Sequence, residues 1–453
     1  MLCSCAWGLK HAFALEPIWG GDLETGRDLP RERRRSSAKA MPRCFGLRDS
    51  QLGGSFGLVN TARAVSQEKL WLAADQASAQ VEPWETSKIV VVRDLQAATR
   101  NHGQVQLAKK AGTPGSLLAV KRMPNNWVCT NNAHFEAHYP AASERPWCDI
   151  GFVQILAELE YPYSCRLHGI FRSETETFVA TPFCAGGDLF DWCHSTAAPL
   201  PGLERESCIR PIMSQVFVAV RWLHNLTIAH RDLSLENIVL TRSPSSEATV
   251  KLIDFGMATV ARFVRDQPMG KLIYQAPEIH TRRVVDTFLA DIFALGVILY
   301  SMGAQDYPWM CTQRGKCQLF EYICRCGFKR FLEKRKARKG KGENLSEVFT
   351  PALADMLECM LQLRPRKRAS IGESAFEHEF RFSRRPNVWT MAWLALAEAP
   401  SPVGFTESPV SSSPPHGKAA SPCESTSTCS GVSCGSAPSE LLSSDRSPIS
   451  PVA

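Results

Sequence analysis

The stretch HRDLSLEN, residues 230–237, sits where the character of the chain changes. Upstream, KIVVV (88–92), LLAVKRM (117–123) and FVATPF (178–183) read as strands: short, β-branched and bounded by turn residues. Just downstream, TVKLIDF (249–255) alternates and ends on Asp254-Phe255-Gly256, with 16 residues between Asn237 and Asp254. Helical periodicity marks PIMSQVFVAVRWLHNL (211–226), DIFALGVILYSMG (291–303) and ALADMLECMLQL (352–363). Strands come early and helices late. The expected fold class is α+β: a small sheet-rich lobe, then a larger helical lobe, with a ligand cleft between them.

Working outward, 453 residues allow two or three domains. A hydrophobic content of 44% and a charged content of 21% suit one large globular unit with loose ends. The net charge of +7 points to anionic partners such as nucleotides, acidic segments or membrane surfaces, and does not specify nucleic acid. Seventeen cysteines, odd in number and irregularly spaced, argue against a secreted disulfide frame and for reduced thiols in the cytoplasm or nucleus. No run approaches the 18 apolar residues of a membrane span. Cys3 and Cys5, with the basic run at 31–35, supply two weak signals for a lipid anchor; the plainer reading is two free thiols in a tail. Residues 1–84 show little periodicity and are expected to be an unstructured basic extension. Residues 399–453 are Ser/Pro-rich and are expected to be a disordered tail, with six Ser-Pro pairs open to proline-directed modification.

In order and spacing, the 230–237 loop and Asp254-Phe255-Gly256 together resemble the eukaryotic protein kinase family. The resemblance covers roughly residues 85–383, with an N-lobe over 85–181 and a C-lobe over 185–383. It implies a serine/threonine-type protein kinase using ATP and Mg²⁺ on protein substrates; more narrowly, the chain looks like divergent kinases of protozoan parasites. By this resemblance Asp232 accepts or orients the proton of the substrate hydroxyl, Asn237 and Asp254 hold magnesium, and Lys121 reaches the ATP phosphates. Val105 and Ala119 fall on the strands that cover the nucleotide. Thr181 becomes the gatekeeper, with Pro182, Phe183 and Cys184 as the hinge. The family uses a carbonyl at the position of Pro182, which proline retains, and an N–H that Cys184 supplies. Asp188 stands where an acid meets ribose or a basic substrate. Glu278, in YQAPE, pairs with Arg368, and Asp291, opening its helix, braces the 230–237 backbone. His378-Glu379-Phe380 resembles the close of the domain. These last matches support the fold and not activity.

Several positions depart from the pattern. Glycines expected at 98, 100 and 103 are Ala98, Arg100 and Gly103, which implies weakened ATP binding. An ungapped count back from Tyr161-Pro162 places Phe152 where the helix partner of Lys121 belongs; the local run PWCDIGFV offers Asp149 instead, one methylene shorter than glutamate. Ser234 replaces the lysine of the loop, while Lys271 occupies the usual threonine position of the later segment. The expectation is a swap in which Lys271 supplies the missing cation, set against an exposed, unrelated lysine. Arg231 ordinarily binds an activation-segment phosphate, yet Thr259 is the only Ser or Thr between Asp254 and Glu278. Activity is therefore expected without phosphorylation there, with Asp266 as a fixed partner for Arg231. The stretch between Lys121 and Pro146 reads as a long loop. Cys311, Cys317, Cys324 and Cys326 match no common zinc spacing, and the basic run at 329–341 reads first as a solvated face. A pseudokinase scaffold is the rival reading; retention of Lys121, Asp232, Asn237 and Asp254 favours the enzyme, the poor glycine loop the scaffold. The APE-type segment and Arg368 disfavour a small-molecule kinase.

Overall fold

A computed structural model describes residues 64–85, 88–98, 103–113, 115–241, 248–265, 268–281, 283–339, 342–376 and 385–395. The anchor cysteines, Arg100, Asp266, residues 377–384 and the Ser/Pro tail lie outside these. Helix α1 (Gln67–Ala79) comes first and is followed by strands β1 (Glu82–Pro83), β2 (Ile89–Ala98), β3 (Gly103–Lys110) and β4 (Leu117–Pro124). Helices α2 (Asn125–Val128), α3 (Asn132–His138) and α4 (Pro146–Glu158) precede β5 (Gly169–Arg172) and β6 (Glu176–Pro182). These strands form one sheet in the order β1-β5-β6-β4-β3-β2, antiparallel except where β1 joins β5. Then come α5 (Leu189–His194), α6 (Leu203–Asn225), and the hairpin of β7 (Ile238–Thr241) and β8 (Thr249–Leu252). A second small pair, β9 (Phe263–Arg265) and β10 (Val284–Asp286), leads into α7 (Thr287–Ala304). Helices α8 (Gln318–Cys326), α9 (Phe328–Lys334), α10 (Leu345–Val348), α11 (Pro351–Met360) and α12 (Ala392–Ala395) complete the described chain. A sheet-based N-lobe thus precedes a helical C-lobe.

The unstructured reading of residues 1–84 is corrected over residues 64–84. Ser66 caps α1 by accepting from Lys69 N, and Leu70, Ala73, Ala74 and Ala77 bury one face. That face lies on α4 at Gly151, where an added Cβ would stand 3.1 Å from the Leu70 carbonyl and 3.3 Å from Ala74 N. Small residues on both helices permit this approach. Before α1, Val65 N donates to the Leu226 carbonyl and its own carbonyl accepts from Thr227 Oγ1. After it, β1 extends the sheet and Trp84 stacks on Phe178 at 3.9 Å. One segment therefore holds the C-lobe behind α6, the outer face of α4 and the sheet edge.

Other expectations shift as well. The supposed loop between Lys121 and Pro146 contains α2 and α3. Helix α6 begins eight residues before Pro211, where proline was expected to open it. Its first turn is fastened from elsewhere: buried Arg205 donates to the Pro199, Cys193 and Met302 carbonyls, and buried Glu206 accepts from Thr350 N, Thr350 Oγ1 and Trp393 Nε1. Through Trp393 the C-lobe also runs past residue 383 to α12. Asp291 sits one turn inside α7, because Asp286 caps that helix earlier. Among the described residues only α7 is long and apolar enough to cross a membrane, and almost all of it is packed inside the C-lobe.

Candidate active site

Lys121 lies in the middle of the sheet, its strand register placing it between Val105 on β3 and Val179 on β6. Its Nζ is 3.2 Å from Glu144 Oε1, 3.6 Å from Asp149 Oδ2 and 3.7 Å from Asp254 Oδ1. Burial alone would push this ammonium down, but Asp254, Glu144 and Asp149 outweigh it and hold Lys121 above the usual lysine range. Burial raises the Asp149 carboxyl to about 6, with Lys121 opposing. Asp149 also accepts from Phe255 N at 2.8 Å, and Arg145 N donates to the Gly256 carbonyl. The start of α4 is thereby bonded to the Asp254 turn. Phe152 packs instead against Phe255, centroids 6.3 Å apart, and Phe255 against His230 at 5.0 Å. Glu144 carried no motif in the sequence; it precedes α4 and is nearer to Lys121 than Asp149 is. Gly256 accommodates it, since a Cβ there would meet Glu144 Cγ at 2.8 Å.

The 230–237 loop is held from below. Asp291 accepts from His230 N and Arg231 N, both at 2.8 Å. The fully buried His224 lies between Asp291 Oδ2 at 3.1 Å and Glu373 Oε1 at 2.9 Å. Burial would lower its pKa, but the bonds to these two carboxylates raise it to about 9. No sequence motif marks His224 or Glu373. Arg231 and Asp254 both adopt left-handed backbone, φ 66° and 64°, which concentrates strain at the loop and at the Asp254 turn. Asn237 Nδ2 donates to the Asp232 carbonyl at 2.7 Å and to Asp232 Oδ2 at 3.1 Å. Both amide protons being directed at Asp232, the amide oxygen is left as a ligand atom.

Lys271 meets this loop from the other side. Its backbone N donates to Asp232 Oδ1 at 3.2 Å, and its Nζ reaches Ser234 Oγ at 2.8 Å and Glu236 Oε2 at 3.0 Å. Gly270, unremarked in the sequence, makes the approach possible. Its φ is +81°, and a Cβ there would stand 2.7 Å from the Arg231 carbonyl and 3.3 Å from Asp232 Oδ1.

Along the hinge, Ala119 pairs in register with Thr181, Phe183 N donates to the Leu117 carbonyl, and Gly187 N to the Cys184 carbonyl. Asp188 caps α5 through Asp191 N, and burial raises its carboxyl to about 6. At Gly103 a Cβ would run into the Arg122 carbonyl, so this glycine is fixed by the sheet itself. Farther away, Arg368 grips Glu278 in a two-pronged pair of 2.6 and 2.9 Å and donates to the Leu289 and Gln362 carbonyls.

Comparison with known proteins points the same way as this geometry. The family model described as "Protein kinase domain" matches residues 149–381, 233 of the 453 residues. Serine/threonine-protein kinase cds1 of Schizosaccharomyces pombe is 27% identical over 50% of this chain and 46% of its own. CBL-interacting serine/threonine-protein kinase 1 of Arabidopsis thaliana is 29% identical over 50% and 46%. The mitosis inducer protein kinase cdr1 of Schizosaccharomyces pombe is 29% identical over 61% and 39%. The matched stretch spans less than half the length of each of these relatives. With a β-sheet N-lobe, a helical C-lobe and a family match across more than half its length, the chain belongs to the protein kinase superfamily.

Proposed function

We propose that this chain is an active serine/threonine protein kinase that transfers the γ-phosphoryl group of ATP to hydroxyls of protein substrates with Mg²⁺. The residues present suit such a ligand. Three carboxylates share one ammonium at Lys121, an excess of negative charge with hard oxygen donors. Asp254 and the Asn237 amide oxygen are the atoms that would hold the metal. When bound, Mg²⁺ supplies neutralisation of the phosphate oxygens. The protein's own groups do the rest. Lys121 binds the α- and β-phosphates. The Pro182 carbonyl and Cys184 N–H take adenine, and Asp188 takes ribose. Asp232, fixed by Asn237 and the Lys271 N–H, orients the substrate hydroxyl and accepts its proton. Lys271 provides positive charge where the transferred phosphoryl group passes.

The observation that carries the active reading is the placement of the Lys271 ammonium 2.8 Å from Ser234 Oγ, while the backbone N of the same residue bonds Asp232 Oδ1. A chain without the loop lysine retains a cation at that point in space. The test is steady-state kinetics on purified protein with MgATP and mixed Ser/Thr peptides. Lys271→Ala is expected to lower kcat by about 100- to 1,000-fold while the KM for ATP stays within about twofold. Asp254→Asn is expected to abolish turnover. Near-normal kcat in Lys271→Ala would remove this lysine from the reaction. Equal phosphate incorporation by wild type and Asp254→Asn would expose contamination and leave a nucleotide-binding scaffold.

A further inference from the structure

The segment between β4 and α4 gathers three metal-ligating side chains away from the cleft. Cys129, His134 and His138 each present one ligand atom, and these atoms all lie within 4.8 Å of one another. The two histidines are four residues apart on α3, so both rings leave the same helix face. They meet edge to face with centroids 4.3 Å apart. Nδ1 of His138 lies 2.9 Å from the His134 carbonyl, and Nδ1 of His134 lies 3.0 Å from Thr130 Oγ1. A carbonyl can only accept, so Nδ1 of His138 carries the proton and Nε2 keeps its lone pair. The Thr130 hydroxyl accepts the same tautomer at His134. Outer bonds of this kind orient imidazoles that bind metals. Cys129 comes from the preceding turn in a left-handed conformation, φ 60°, with its carbonyl held by Arg172 Nη2 at 2.7 Å. The thiol has one weak internal contact, 3.5 Å to the Asn126 carbonyl.

We propose that Cys129, His134 and His138 form a binding site for a divalent transition metal, with zinc the best match to one thiolate and two imidazoles. Binding replaces the Cys129 thiol proton, which passes to solvent, and leaves a fourth position for water. The site is linked to the cleft through a short chain of residues. Glu136, between the two histidines, pairs with Arg145 at 2.9 Å, and Arg145 follows Glu144, the nearest carboxylate to Lys121. A metal here stiffens the segment that delivers Glu144.

The test is titration of the reduced, chelator-treated full chain with Co²⁺, followed by absorption spectroscopy and displacement by Zn²⁺. One equivalent is expected, with a thiolate-to-cobalt charge-transfer band and a Kd below about 10 µM. Cys129→Ser is expected to lose that band. The double variant His134→Ala, His138→Ala changes only exposed rings, and is expected to bind at least about tenfold more weakly even if Cys129→Ser fails to fold. Zinc is expected to raise the Tm of wild type and not of the double variant. Absence of binding in this range overturns the proposal. So does a charge-transfer band that survives in Cys129→Ser, or unchanged affinity in the histidine variant, since either assigns the metal to other cysteines.

Discussion

At the scale of single residues, the candidate site brings a cation from a later segment, Lys271, onto the 230–237 loop. Ser234 is short enough to admit Lys271, and Glu236 helps hold the visiting ammonium at 3.0 Å. Because Nζ touches Ser234 Oγ, a lysine placed at 234 reaches the same region from the loop side. The double variant Ser234→Lys, Lys271→Ala is therefore expected to recover most of the roughly 100- to 1,000-fold loss of Lys271→Ala. A purely structural role for Lys271 predicts no such rescue in kcat. His224 supplies a second residue-scale expectation. Its pKa is about 9 in the folded chain and near 6.5 when unfolded, so the folded state binds the extra proton. The associated stabilisation, about 3 kcal/mol, is complete below pH 6.5 and disappears as pH rises through 9. Thermal melts from pH 6 to 9.5 should show Tm falling, and His224→Gln should flatten that slope.

Among elements, the consequential contact is α1 on α4. Helix α4 brings Asp149 to Lys121 and to Phe255 N, so whatever fixes α4 fixes the cleft. Gly151→Val inserts a branched side chain where the Leu70 carbonyl already stands at 3.1 Å from an ideal Cβ. The expected cost is about 1–3 kcal/mol in denaturant unfolding, with kcat reduced more than the KM for peptide, because α1 must lift or α4 must turn. The salt bridge between Lys69 and Glu158 at the rim of the same contact is exposed and contributes little. Arg368 is a contrasting case. It is fully buried, and losing it would strand the Glu278 carboxylate and two carbonyls, so its role is structural support of the segment that carries Lys271.

Across the whole molecule, regulation by activation-segment phosphorylation has little to act on. Thr259, the single Ser or Thr between Asp254 and Glu278, exchanges backbone hydrogen bonds with Ala229 and accepts from Ala261 N. Phosphatase-treated protein is expected to keep its activity. Loss of activity, with one phosphate mapped to residues 254–278, would contradict this. The two lobes and the candidate site were legible because the protein kinase family carries polar residues in a recurring order, which Lys121, Asp232, Asn237 and Asp254 match in the sequence. What stayed hidden depends on long-range packing. Glu144 lies in no periodic segment, His224 reads as one more residue of an amphipathic helix, and Gly270 matters only because the Arg231 carbonyl stands over it. The start of α6 was obscured by Pro211, a local signal overridden by Arg205 and Glu206 anchored to distant elements. Helix α1 escaped notice because its buried face is mostly alanine, which gives almost no hydrophobic rhythm.

Domain limits drawn from motif matches would start the catalytic unit near residue 85. A fragment cut there loses the cover over Gly151, the terminal strand beside β5 and the indole against Phe178, and so opens a helix face, a strand edge and a ring face to water at once. Residues 64–84 therefore act as a shield against self-association, and a fragment cut at residue 85 is expected to aggregate where the full chain does not.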